Sequence, residues 1–219
     1  MGHHVDLAAS DGHRLAAYLS EPAGVARGGI VVIQEIFGVT QHIRDVADQY
    51  AAAGYLAIGP ALFDRVEPNV DVPYTDMKRG MGYAQALDND KVMLDVAAAL
   101  ERVRAAGKIG VVGFCWGGTV AYLAAARLPV DAAVSYYGGQ ISRYLTERPR
   151  APIMFHFGEK DAHIPSAVIE QIKAAYPQGI YHLYPAEHGF NCTHRASFEP
   201  TSSKLAFERS VEFFHAHIG

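Results

Sequence analysis

Cysteine is scarce in this sequence. Only Cys115 and Cys192 occur among 219 residues, too few for a disulfide framework, so a fold stapled by bridges is excluded. Apolar stretches are short and broken by Gly or Pro, whereas a bilayer span needs about 20 apolar residues. Lysine and arginine never cluster, and 19 of them against 23 acidic residues leave a formal net charge of −4. The basic footprint that grips nucleic acid is missing. Neither nucleic acid nor membrane is therefore an expected partner. The start, Met1-Gly2-His3-His4-Val5-Asp6, has neither the basic nor the apolar region of a signal peptide. A cytoplasmic protein with reduced thiols is expected. What remains is an ordinary globular composition, half hydrophobic and a fifth charged. A single domain over residues 1–219 is expected, long enough to bury roughly 70% of the unfolded chain's surface without metal or staples.

Strand and helix signals alternate along the chain. Val5–Leu7 and Arg14–Ser20 flank Ser10-Asp11-Gly12, an Asp-Gly hairpin signal. Ile30–Ile33 is a continuous β-branched run, as in a strand buried on both faces. Ile43, Val46, Ala47 and Tyr50 repeat at helical spacing up to Gly54. Tyr55–Ile58 reads as a strand, and Ala61–Gly82 as an irregular, substrate-covering segment. Beyond it the pattern predicts helices over 88–106, 117–127, 165–176 and 202–218, with strands over 109–112, 132–136, 153–157 and 180–184. Such alternation predicts an α/β fold with a mostly parallel central sheet, helices on both faces and an antiparallel N-terminal hairpin.

Chemistry in such a sheet gathers at the carboxyl ends of the strands. There stands Gly113-Phe114-Cys115-Trp116-Gly117-Gly118, between a strand and a helix. It has the form of a nucleophile elbow, G-x-S-x-G, with sulfur replacing oxygen. Only a few per cent of a free thiol is ionised at pH 7, and a helix N-terminus raises that fraction. An isolated cysteine is more often an inert core residue; the strand–elbow–helix context reverses that balance.

The elbow predicts an acid and then a histidine downstream. Asp161 follows the 153–157 strand, in a position where the competing role is a helix N-cap. His188 follows the next strand, with Gly189 beside it, while His163 and His194 are its nearest rivals. His156 and His182 fall within strands and read as packing residues. In the triad template Asp161 orients His188, which moves the proton for Cys115.

These residues resemble the dienelactone hydrolases (carboxymethylenebutenolidases), a family of the α/β-hydrolase superfamily. The resemblance extends over nearly the whole chain. It rests on Gln34-Glu35-Ile36-Phe37-Gly38, the Cys115 elbow, Ser135-Tyr136-Tyr137-Gly138-Gly139, the Gly158–Asp161 turn and Glu187-His188-Gly189-Phe190. It implies the α/β-hydrolase fold and cleavage of a small lactone or ester, dienelactone foremost, through a thioester on Cys115. It also implies that Glu35 stands beside the thiol and that the Ile36 and Trp116 backbone N–H groups form the oxyanion hole. A carboxylate so placed disfavours the thiolate, so a largely neutral resting thiol is expected, ionised when substrate displaces Glu35 or makes it the proton acceptor. The family's carboxylate-binding arginine shortly after the catalytic histidine is replaced by Cys192, and the nearest arginine is Arg195. Arg195 fits either a carboxylate clamp or an ordinary surface arginine. Lys78 and Arg79 lie in the irregular segment, and Tyr83, with Phe37, Trp116 and Tyr137, is a candidate apolar wall.

Three alternatives compete. One is a general carboxylesterase of the same family; another is a thiol redox protein using Cys115 and Cys192, though no C-x-x-C occurs. The third is a binding module that keeps the fold without the chemistry. No cofactor is expected. No metal is expected either, since the histidines lack compact ligand spacing. The expected assembly is a monomer or small homo-oligomer.

Overall fold

In the computed structural model, which describes residues 2–219, the backbone forms one eight-stranded sheet. Its strands are β1 (His3–Ala8), β2 (Arg14–Ser20), β3 (Gly29–Ile33), β4 (Leu56–Pro60), β5 (Ile109–Phe114), β6 (Ala132–Tyr136), β7 (Ile153–Gly158) and β8 (Ile180–Tyr184), ordered β1-β2-β4-β3-β5-β6-β7-β8. The β1–β2 hairpin is antiparallel and attaches antiparallel to β4. All remaining pairs are parallel. Every residue of β3, β5, β6 and β7 is buried, because parallel strands are covered on both faces.

Six helices supply the cover: α1 (Gln41–Ala52), α2 (Met77–Ala86), α3 (Asn89–Val103), α4 (Trp116–Arg127), α5 (Ser166–Ala175) and α6 (Pro200–Ile218). On one face α3 packs against α4 and the central strands. On the other, Tyr50 of α1 meets Phe207 and Phe214 of α6, with ring centroids 5.2 and 5.8 Å apart. Helix α4 is buried from Trp116 to Ala126, as befits a helix apolar all round.

Several boundaries differ from the sequence reading by a residue or two, and three of the differences stand out. The segment expected to be irregular contains α2, started where the Asp76 carboxylate accepts the Arg79 N–H at 3.1 Å. Its two glycines and mixed polarity hide the helical period. Helix α6 begins at Pro200 because Glu199 caps it, accepting from Thr201 and Ser202. Proline suits a first helical position, having no N–H to leave unpaired. The third is at α5, which starts after Pro165 rather than on it.

Beneath the carboxyl ends of the strands lies a buried polar chain. His156 Nδ1 meets the Tyr184 hydroxyl at 2.8 Å and Nε2 meets Ser210 Oγ at 3.0 Å, while Ser210 also bonds Tyr136 Oη at 2.8 Å. Burial drives His156 well below the usual imidazole range and keeps it neutral. The histidine read as a packing residue thus ties β6, β7, β8 and α6 together.

Candidate active site

Strand β5 ends at Phe114 and α4 begins at Trp116, which leaves Cys115 alone in the turn. Its backbone sits at φ +56° and ψ −119°, a conformation that costs a residue with a Cβ about 1–3 kcal/mol. The Cys115 N–H donates to Tyr136 O at 3.0 Å, and Gly118 N–H donates to Cys115 O at 3.0 Å. A Cβ on Gly117 would collide with the carbonyls of Ile33 and Gln34, and one on Gly113 with that of Gly117. Only glycine lets three backbone segments meet this closely. The half-buried cysteine side chain is therefore held at the positive end of α4.

The β7–α5 loop brings Asp161 to this point and the loop after β8 brings His188. Asp161 Oδ2 lies 2.7 Å from His188 Nδ1, and its Oδ1 accepts the His163 N–H at 2.8 Å. Pro165 occupies the N-cap of α5, so Asp161 does not cap that helix. Cys115 neighbours the same imidazole and acts on it electrostatically. Burial alone would push His188 down. Cys115 and the Asp161 carboxylate outweigh it and hold the ring up at about 10. Tyr137, itself at φ +39°, packs against His188 at 4.9 Å between centroids. The rival His163 only touches the ring edge-on, at 5.1 Å, and His194 lies near exposed Asp45 instead.

Behind the elbow, Glu35 is buried and its Oε1 pairs with Arg195 Nη1 at 3.2 Å. Burial raises the Glu35 carboxyl above its ordinary range, opposed by Arg195 and His188. Arg195 is no surface arginine: it is largely buried, lies over the Phe37 ring at 5.7 Å, and rests on Gly189, where a side chain would strike its guanidinium. The backbone N–H groups of Ile36 and Trp116 have no protein acceptor among the described residues, as an oxyanion hole requires.

The sequence profile of the dienelactone hydrolase family matches residues 15–218. The chain belongs to the dienelactone hydrolase family. A carboxymethylenebutenolidase of Pseudomonas putida is 33% identical over 222 residues, spanning 95% of this chain and 94% of its own. A protein of Azospirillum brasilense, provisionally named a carboxymethylenebutenolidase, is 36% identical over 228 residues, spanning 98% and 99%. The crystal structure of a provisionally named dienelactone hydrolase from Klebsiella pneumoniae superposes with a TM-score of 0.84 at 30% identity, covering 98% of both chains. This dienelactone hydrolase family member is thus a carboxylic ester hydrolase of an α/β-hydrolase fold. No helix among its described residues is long and apolar enough to cross a membrane.

Tyr83 reaches the site through an aromatic run, stacking on Phe63 at 5.4 Å, which lies 5.5 Å from Trp116. Its hydroxyl bonds Glu67 and Arg79, whose guanidinium lies over its ring. A cleft of about 150 Å³ lined by Tyr18, Gln34, Arg44 and Asp64 contains none of Cys115, Asp161 or His188. Cys192 is buried, and burial pushes its thiol up to about 11. A resolving thiol needs the opposite.

Sequence reasoning missed two neighbours of Glu35. His42 is buried on α1, and its spacing of four from Val46 puts it on the apolar stripe, so a signal existed. Tyr74, which hydrogen-bonds Thr40 and neighbours Cys192, gave none.

Proposed function

We propose that Cys115 is the nucleophile of a lactone or ester hydrolysis in which His188 moves the proton and Asp161 orients His188. The observation that carries this is the Asp161 carboxylate bound to the buried His188 imidazole at 2.7 Å, beside the elbow that holds Cys115. Thiolate attacks the acyl carbon, forming a C–S bond, and the oxyanion is held by the Ile36 and Trp116 amides. The ring-opened alkoxide departs with a proton from His188 as the C–O bond breaks. Water, deprotonated by His188, then cleaves the thioester and releases the acid.

The expectation of a neutral resting thiol rests on the repulsion Glu35 exerts on a thiolate. Arg195 offsets part of that charge, and His188, held up at about 10, rests as imidazolium. A substrate carboxylate that engages Arg195 frees Glu35 to accept the proton of any Cys115 still present as thiol. Lactones bearing a carboxylate, dienelactone among them, are the substrates this arrangement favours; the relatives' names support that reading.

The test is hydrolysis of lactones and aryl esters by wild type, Cys115→Ser and Cys115→Ala. Loss of a covalent nucleophile lowers turnover by at least about a hundredfold. Near-wild-type turnover by Cys115→Ala ends the proposal.

A further inference from the structure

Glu35, His42 and Cys192 converge on one point behind the elbow. An oxygen of Glu35, a ring nitrogen of His42 and the Cys192 sulfur lie within 4.8 Å of one another, and all three residues are buried. Arg195 takes Glu35 Oε1, whereas Glu35 Oε2 and His42 Nε2 have no hydrogen-bond partner among the described residues. A buried polar atom left unpaired is costly, so two in one place mark a site shaped for something further. The hydrolysis above uses neither His42 nor Cys192.

We propose that Glu35 Oε2, a His42 ring nitrogen and Cys192 Sγ form a binding site for a borderline-soft divalent cation of the zinc class. Sulfur, imidazole nitrogen and carboxylate oxygen together are the donor set such ions select, whereas calcium and magnesium take oxygen. Bonds of about 2.0–2.3 Å in a tetrahedron set ligands roughly 3.5 Å apart. The trio therefore draws in by at most about 1 Å, within the reach of side-chain rotation. The Tyr74 hydroxyl, a neighbour of Cys192, or a water fills the fourth position. One M²⁺ enters and the Cys192 thiol proton leaves to solvent as the sulfur–metal bond forms. Glu35 keeps Arg195 on its other oxygen, so the site passes from neutral to a single positive charge. Arg195 opposes the cation and holds affinity below that of a closed structural zinc site. Because all three ligands are buried, binding is slow in onset.

The functional consequence rests on the thiol-hydrolase reading. A cation that fixes Glu35 stops it responding to substrate, so zinc inhibits. The first experiment avoids activity altogether. Metal-free Cys115→Ser protein, in which Cys192 is the sole cysteine, is titrated with Cd²⁺ while the sulfur-to-cadmium ultraviolet absorption is followed. Saturation at one equivalent is expected. Cys192→Ser in that background abolishes the band, and His42→Gln weakens binding at least about tenfold, with circular dichroism showing both variants folded. A missing band, or an affinity indifferent to His42→Gln, overturns the site. The second experiment adds Zn²⁺ to wild type, where slow inhibition reversed by chelator is expected and Cys192→Ser escapes it. Inhibition undiminished in Cys192→Ser means that Cys115 and His188 took the metal, and overturns the proposal. Failure of the thiol-hydrolase reading registers separately, as full activity in Cys115→Ala with the cadmium band unmoved.

Discussion

Replacing Asp161 with asparagine removes one charge from the chain of groups and leaves its shape. The carboxylate lies 2.7 Å from His188 Nδ1 in a buried setting, where a hydrogen bond to a charged group is worth about 1.5–3 kcal/mol. At about 1.4 kcal/mol per pH unit, that moves the imidazole down by roughly one to two units. His188 is held at about 10, so its ring in Asp161→Asn should titrate near 8–9. His188 can protonate the leaving alkoxide only while the ring keeps its proton. Activity must therefore fall as pH rises through that value, and the alkaline limb must move to lower pH in the variant. The same 1.5–3 kcal/mol, lost from the transition state, lowers kcat/KM roughly ten- to hundredfold at neutral pH. The assay is kcat/KM for an aryl ester from pH 5 to about 11, corrected for spontaneous hydrolysis. An alkaline limb that stays in place in Asp161→Asn would refute the electrostatic account of His188, whatever the loss in rate.

Arg195→Met should raise KM for carboxylate-bearing lactones far more than for uncharged esters, measured on a matched substrate pair. It should also destabilise the fold by about 3–5 kcal/mol, since Glu35 is left buried and unpaired; adding Glu35→Gln should recover most of that in urea unfolding. Gly117→Ala drives a methyl into the Ile33 and Gln34 carbonyls, so a soluble variant should show a distorted elbow and slowed thiol alkylation. His156 is held neutral by burial, its folded value well below the unfolded one of about 6.5. Its contribution to stability is thus present above that pH and lost as pH falls below it. His156→Phe should flatten acid unfolding in that window, even where it lowers stability at pH 7.

The parts of the fold legible in the sequence were those where one physical signal dominates. The Ile30–Ile33 run and the elbow's glycines allow few other readings, and β3 and the Cys115 turn sit where those signals placed them. Helix α2 was hidden because Gly80 and Gly82 lower helix propensity and its apolar face is weak; Gly80 is glycine because α2 lies against the Ile36 carbonyl. That is a tertiary reason, invisible along the chain. Asp161 and His188 were found from chain order and strand ends, and the structure brings them within 2.7 Å. Arg195 was left between two roles because its partner, Glu35, is 160 residues away in the chain. Long-range pairing of this kind has no periodic trace.

His188, Cys192 and Arg195 all come from one stretch between β8 and α6. A change that lengthens or loosens this stretch cannot retune charge preference without also disturbing proton transfer. Changes at the Tyr83 and Arg79 side chains of α2, in contrast, would leave this stretch and its reacting groups in place.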